Sequence, residues 1–173
     1  YRPVWCMLTE HSEEVSARLK GSMIERYNLP SDSLVTESAA LNAVFQYAIG
    51  NTDWDIEGFR NVYLFQPADG GKLIPIPYDF DFSGLVSAPY STPASSTGLT
   101  TVKDRYLMKE GLSKTAVSAA VQKVLSMKKR VLEQCVSPFF PTQVSDDLLQ
   151  YLNGFFFAAE SSKDLPIMLR EMR

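Results

Sequence analysis

The sequence has little histidine, little cysteine, no excess of positive charge and no long apolar run. Its 173 residues include one histidine, His11, and carry a formal net charge of −3. A lone histidine beside Ser12 and two glutamates leaves little basis for a Ser/His/Asp or Cys/His nucleophile. Without a basic excess, sequence-independent DNA binding is disfavoured, so we expect no nucleic acid partner.

The two cysteines and the apolar runs exclude further classes of protein. Cys6 and Cys135 lie far apart in sequence, which fits neither a disulfide framework nor the close ligand pairs of a zinc site. We expect both to be buried, unreactive thiols. The longest apolar run, residues 154–159, is far shorter than the roughly 18 to 20 residues of a transmembrane helix, so no membrane span is predicted.

What is present suffices for one hydrophobic core. The chain is 45% hydrophobic and 12% aromatic, which favours a single domain over residues 1–173. Apolar periodicity and turn signals predict an α+β fold, mostly helical, with a small β-hairpin. The predicted elements are a strand at 2–9 and helices at 12–21, 33–49 (ended by a left-handed Gly50), 113–137, 144–161 and 165–172.

The hairpin is predicted from two apolar segments around a Pro/Gly turn. Residues 61–66 form the first strand, 67–71 the turn and 72–76 the second strand. If Gln66 faces Lys72, then Asn61 faces Pro77. The Ser, Thr and Pro-rich segment 87–101 follows, and its low apolar content predicts a mobile loop.

Polar side chains collect where the hairpin strands begin and end. Asp53 and Asp55 precede the first strand, Asn61 opens it, and Asp79 and Asp81 follow the second. Two carboxylates ~5 Å apart repel by roughly 3 kcal/mol at an effective dielectric constant of ~20, and a divalent cation relieves that repulsion. Oxygen ligands without Cys or His suit Mg²⁺. The alternative is that these side chains only cap loops.

The motifs around these residues resemble a known kinase superfamily. The residues are Ile49-Gly50-Asn51-Thr52-Asp53, then Asn61, a hairpin and Pro77-Tyr78-Asp79. They resemble the catalytic core of atypical kinases with a protein-kinase-like fold, notably the HipA and CotH kinases. The segments Leu8-Thr9-Glu10, Gly50-Asn51-Thr52-Asp53-Trp54 and Pro77-Tyr78-Asp79-Phe80-Asp81-Phe82-Ser83-Gly84-Leu85-Val86 are similar to a bacterial group related to CotH, over roughly residues 4–110.

This resemblance implies Mg²⁺-dependent phosphoryl transfer on the large lobe of a kinase-like fold. Asp53 matches the aspartate that orients or deprotonates the acceptor hydroxyl. Asn61 and Asp79 match the metal-binding asparagine and aspartate, with Asp81 as a second metal ligand. Asp55 could serve as either a base or a ligand. The order of catalytic loop, hairpin and metal aspartate is that of kinases.

The resemblance also implies a nucleotide and a partner. Residues 1–10 would be the last strand and hinge of a small lobe expected upstream, with Leu8 and Glu10 along the adenine edge of ATP. The cation would be Mg²⁺ or Mn²⁺, and the acceptor an unidentified protein. Without the small lobe, this chain alone is expected to be inactive. Export signals in the similar group imply a location outside the cytoplasm.

Three departures from the kinase pattern keep a second interpretation open. Kinases usually place four residues between the catalytic Asp and Asn, whereas seven separate Asp53 from Asn61. No glycine-rich phosphate loop precedes them, and Lys20, the only lysine before Asp53, lies in a predicted helix. The alternative is a non-catalytic, pseudokinase-like binding or scaffold domain.

Overall fold

The computed structural model describes residues 10–26, 29–108 and 111–161. These residues form an α+β fold, about 44% helical, with five helices and a three-stranded antiparallel sheet. The helices are α1 (Ser12–Leu19), α2 (Thr36–Ile49), α3 (Lys114–Ser126), α4 (Lys128–Glu133) and α5 (Thr142–Glu160), and the strands are β1 (Gly21–Ile24), β2 (Val62–Pro67) and β3 (Ile74–Pro77). The strand predicted at 2–9 and the helix predicted at 165–172 lie outside the described residues.

The sheet contains a strand that the sequence pattern did not predict. Its order is β1-β2-β3, with Gly21 opposite Pro67. Gly21 was predicted to end a helix, but α1 already ends at Leu19, and the left-handed backbone of its cap residue Lys20 (φ 58°) turns the chain into β1. A Cβ on Gly21 would collide with the Gln66 carbonyl oxygen and the Phe65 ring, so this glycine permits close strand pairing.

Helix α2 is the buried centre of the fold; its predicted end at Gly50 is confirmed, and it begins three residues after the predicted start at 33. It packs against α3, α5 and β3. Gly50 ends it in the left-handed conformation (φ 66°), and its N–H bonds back to the last helical turn, as a C-terminal cap requires. Its core side chains are almost fully buried, among them Ala40, Ala43 and Val44. The packing of α2 therefore fixes the position of the backbone from which the residues after Gly50 continue.

The long helix predicted at 113–137 is divided in the structure. Ser113 caps α3 as expected, by accepting a hydrogen bond from the Ala116 N–H. The helix breaks at Met127 (φ −100°, ψ 0°) before α4 begins. The Ser126 hydroxyl donates to the Lys123 carbonyl at 2.6 Å, and such side-chain bonds compete with the helical ladder and bend it.

Helix α5 carries the predicted apolar stripe. It begins at Thr142, two residues before the predicted start, and buries Leu152, Phe155 and Phe156 in the core.

Cys135 is also buried, and burial raises the pKa of its thiol, as expected of an unreactive cysteine. Within the described residues, no helix combines the length and apolar character needed to cross a bilayer.

A cluster of four residues joins α2, α5 and the loop after the hairpin. We call it the Tyr151 junction, and it consists of Gly50, Gly84, Arg105 and Tyr151. The Arg105 guanidinium lies 4.0 Å from the Tyr151 ring centre and donates to the Tyr151 carbonyl at 2.7 Å and to the Ala48 carbonyl at 3.2 Å. A Cβ on either glycine would collide with the Tyr151 hydroxyl. Close packing here fixes where the functional loops begin.

The segment 87–101 is a loop, as predicted, with one short 3₁₀ turn at Ser95–Thr97. It is attached to the rest of the fold, since the Ala94 N–H donates to the Thr52 hydroxyl at 2.9 Å. Its mobility stays a prediction.

Candidate functional site

Asp53 lies three residues after Gly50, the cap of α2, on a backbone held by buried residues. Asn51 is 1% exposed and donates through Nδ2 to Gln46 Oε1 at 3.0 Å. Its Oδ1 accepts from the Asp53 N–H at 2.9 Å. Thr52 and Trp54, on either side of Asp53, are also buried. The neighbours of Asp53 therefore fix its backbone, while its own carboxylate is partly exposed.

The seven residues between Asp53 and Asn61 form a loop that is closed at its base. The backbone N–H and C=O of Asp55 both pair with those of Arg60, each bond 2.9 Å long. Asn61 Nδ2 then donates to the Asp53 carbonyl at 2.7 Å and to Asp53 Oδ2 at 3.0 Å. The two predicted site residues thus meet despite their long separation in sequence.

Asp55 has a structural role in this loop. Its Oδ1 accepts from the backbone N–H groups of Glu57 (2.9 Å) and Gly58 (3.1 Å). This is the Asx-type capping that was the alternative explanation for the acidic residues. These contacts of Asp55 support the loop-capping interpretation, and its role as a base or a ligand stays a prediction.

The hairpin is confirmed, but its predicted register is wrong by one residue. Val62, not Asn61, lies opposite Pro77. Asn61 faces Tyr78 instead, and the Tyr78 N–H donates to the Asn61 carbonyl at 3.0 Å. The connection between the strands spans residues 68–73 and was predicted to be shorter, at 67–71. The shift brings Asn61 one residue closer to Asp79.

Asp79 is held in position by its two aromatic neighbours. The Tyr78 ring stacks on Tyr63 with ring centres 4.2 Å apart, and the Phe80 ring meets Phe45 edge-on at 5.4 Å. Asp79 itself has a left-handed backbone with φ 55°, a conformation that Asp and Asn tolerate better than most residues. Both flanking rings are anchored, so the position of the Asp79 backbone is set by packing.

The carboxylates of Asp79, Asp81 and Asp53 act on one another. The pKa of Asp79 is raised, first by partial desolvation, then by the hydrogen bond and negative charge of Asp81, and least by the charge of Asp53. Asp81 also accepts a hydrogen bond from the Tyr90 hydroxyl at 3.0 Å. We call Asp53, Asn61, Asp79 and Asp81 the acidic edge.

The oxygen atoms of the acidic edge are suited to a cation that takes few ligands from the protein. In the part of the chain that the structure describes, no cluster of three or more His, Cys, Asp or Glu side chains is arranged to hold a metal. Mg²⁺ typically uses one or two carboxylates and keeps several waters. Since Asn61 uses Nδ2 to bind Asp53, its Oδ1 remains as the metal-ligating atom of that side chain. Asn61 with Asp79 and Asp81 therefore fits Mg²⁺ better than Ca²⁺.

The two residues predicted to contact adenine are not brought to this edge by any described contact. Leu8 lies outside the described residues. Glu10 forms a two-bond ion pair with Arg18 of α1, at 3.0 and 2.6 Å, and this pairing lowers the pKa of Glu10. The adenine contact of both residues stays a prediction.

Three residues at this site were missed in the sequence. Arg60 Nε lies 3.4 Å from Asp53 Oδ1, Tyr90 binds Asp81, and Thr52 holds the loop 87–101. The only local signals were the positions of Arg60 next to Asn61 and of Thr52 next to Asp53. Tyr90 and Thr52 act through contacts between residues distant in sequence.

No family model, no curated protein and no solved structure matches this chain.

Proposed function

We propose that this chain is the large-lobe part of an atypical, CotH-like kinase that transfers phosphate from a nucleotide to a hydroxyl group of a protein, with Mg²⁺. The observation that carries the proposal is the pair of bonds from Asn61 Nδ2 to the backbone and side chain of Asp53. Because the intervening loop is closed by the Asp55 and Arg60 backbone pairing, its extra length does not separate the two residues. The main departure from the kinase pattern is thereby accommodated.

The residues of the acidic edge have separate roles in this proposal. Asp53 orients or deprotonates the acceptor hydroxyl, and its anchored backbone fixes the direction of approach. Asn61, Asp79 and Asp81 would hold Mg²⁺, which supplies neutralisation of phosphate charge when bound. The pKa of Asp79 is raised first by partial desolvation and then by Asp81, and a bound cation would offset both effects.

Asp53 must exchange one contact before it can act on a hydroxyl. Its Oδ1 faces Arg60 across 3.4 Å, and the two side chains are 30% and 51% exposed. An ion pair this exposed is worth about 0 to 1 kcal/mol, so an incoming hydroxyl can displace Arg60 at small cost.

The Arg60 contact also supports a second candidate function. A guanidinium paired with the proposed base neutralises it, as suits a non-catalytic, pseudokinase-like scaffold domain. In that case the acidic edge would serve as a binding surface, and the Asp53 to Arg60 pair would be permanent.

Metal binding tests the proposal directly. We expect Mn²⁺, followed by electron paramagnetic resonance, to bind this chain, and Mg²⁺ to displace it. Asp79→Asn should weaken Mn²⁺ binding by about tenfold or more, the usual range for altering a metal site. Glu57→Gln, an exposed carboxylate beside the acidic edge, is the control and should change nothing. Absence of Mn²⁺ binding at millimolar concentration would contradict the metal assignment.

Turnover separates the two candidate functions. In the native full-length protein, Asp53→Asn should lower phosphoryl transfer at least ~10²-fold, the lower range for losing a general base, with nucleotide affinity little changed. Arg60→Gln should leave turnover unchanged or higher. Metal binding without any phosphoryl transfer would favour the scaffold domain.

A further inference from the structure

A second feature of the fold is a cavity whose lining includes none of the four acidic-edge residues. It has a volume of about 750 Å³ and lies between α2, β3, the α3 and α4 pair and α5. That volume is within the range of about 300 to 1,000 Å³ typical of small-molecule sites. Four phenylalanines are part of its wall, namely Phe45, Phe140, Phe155 and Phe156.

The wall of this cavity carries no charge. Its few polar side chains, among the described residues, are Ser38, Asn42, Gln134 and Cys135, and every other lining side chain is apolar. A buried ionised ligand group without a partner of opposite charge is strongly disfavoured. The wall therefore selects against an anionic or cationic head group.

Asn42 marks where a polar group would bind. It lines the cavity, is 4% exposed, and neither its Nδ2 nor its Oδ1 has a hydrogen-bond partner among the described residues. Buried polar atoms in native proteins are nearly always paired. Both atoms are buried, so the Asn42 side chain must change rotamer before they reach a bound group, and its terminal amide torsion is soft.

We propose that this cavity binds a neutral, mainly apolar molecule with one hydroxyl or amide group. The apolar body packs among the phenylalanines, and the polar group both donates to Asn42 Oδ1 and accepts from Asn42 Nδ2. A hydroxyl or an amide can do both, whereas a carboxylate can only accept. The uncharged wall and the unpaired amide together define this ligand class.

Binding of 1-decanol and of decanoate to the whole chain tests the proposal. Calorimetry at pH 8 should show 1-decanol binding at least tenfold more tightly than decanoate, because only the alcohol is uncharged and can donate. The melting temperature should rise with 1-decanol concentration, as ligand linkage requires. Equal binding of both compounds, or no binding of 1-decanol near its solubility limit, would overturn the proposal.

Two neighbouring phenylalanines provide a matched pair of variants. Phe140 lines the cavity, whereas Phe139 is 73% exposed and is not part of the wall. Phe140→Ala should weaken 1-decanol binding at least fivefold, and Phe139→Ala should leave it unchanged. If this chain forms a dimer that dissociates only in Phe140→Ala, the occupant is a second copy and the proposal fails.

Asn42→Leu tests the polar contact with a readout besides binding. Without ligand, this variant should melt at the same temperature as the native chain or higher, because it removes two unpaired buried groups. It should also bind 1-decanol about tenfold less tightly. Unchanged 1-decanol affinity in Asn42→Leu would remove Asn42 from the site.

Discussion

The Tyr151 junction and the acidic edge lie at the two ends of the short segment 50–53 and are stabilised in opposite ways. In the junction, a half-buried guanidinium, an aromatic ring and two glycines are packed so closely that neither glycine can take a Cβ. At the acidic edge, carboxylates repel one another and stay partly exposed. The comparison indicates that packing at the junction positions the edge, whose charges do not stabilise the fold.

The largest effect is expected from crowding the junction with Gly50→Ala. The added Cβ would collide with the Tyr151 hydroxyl, and φ is +66°. The left-handed strain should cost about 1 to 2 kcal/mol, and the overpacking should cost about 1 to 3 kcal/mol. Together they predict a loss of about 2 to 5 kcal/mol of unfolding free energy. Urea unfolding measures it.

Gly98→Ala is the control for that variant. Gly98 has nearly the same φ, +69°, but open space around it, so this variant should lose only the left-handed strain of about 1 to 2 kcal/mol. Equal losses in the two variants would show that the junction is not tightly packed and would break the comparison.

An intermediate loss of unfolding free energy is expected when the contact between Thr52, in segment 50–53, and the loop 87–101 is removed. Thr52→Val removes the acceptor of the Ala94 N–H and should cost about 1 kcal/mol. Hydrogen exchange should accelerate at the Ala94 amide. The Leu85 amide, which donates to the Ile49 carbonyl at 2.9 Å, should be unaffected, and acceleration at both would indicate a global change instead.

The smallest effect is expected at the acidic edge itself. The pKa of Asp79 is raised above 3.8 in the folded state, so the folded chain holds this proton more tightly than the unfolded chain does. Stability contributed by this group is therefore present at pH below 3.8 and is lost as the pH rises through the folded pKa. Because asparagine does not ionise, Asp79→Asn should not lose this stability as the pH rises.

The pH dependence identifies this effect. At pH 7, Asp79→Asn should be more stable than the native chain by less than about 1 kcal/mol, since the group is exposed, and the gain should shrink as the pH falls towards 3.8. Glu57→Gln should show no such trend. A destabilised Asp79→Asn at pH 7 without metal would mean that the acidic edge does stabilise the fold.

Features set by neighbours in sequence were predictable, and features set by distant contacts were not. The end of α2 at Gly50 and the hairpin follow from local patterns, and the hairpin alone predicted that Asp53, Asn61 and Asp79 gather at one edge. The register was wrong because the length of the turn depends on side-chain bonds such as that from the Gly71 N–H to Asp69 Oδ1. Such bonds cannot be read from composition.

The missed elements share one physical cause. Strand β1 has four residues, and its pairing with β2 joins Gly21 to Pro67, so no local period marks it. The Arg105 bonds to the Ala48 and Tyr151 carbonyls span 57 and 46 residues. Long-range contacts of this kind decide which polar side chains become buried, and they leave no pattern in a single sequence.

The closed base of the loop between Asp53 and Asn61 has a consequence for recognising relatives of this protein. Because the Asp55 and Arg60 backbones pair, the loop can change in length at the exposed Glu57 and Gly58, between the buried Ile56 and the half-buried Phe59, without altering the distance between the two functional side chains. A search pattern with a fixed gap between aspartate and asparagine would miss such chains. A pattern with a variable gap, bounded by residues able to pair as Asp55 and Arg60 do, would retain them, and the exposed Glu57 and Gly58 offer a place to insert a peptide tag.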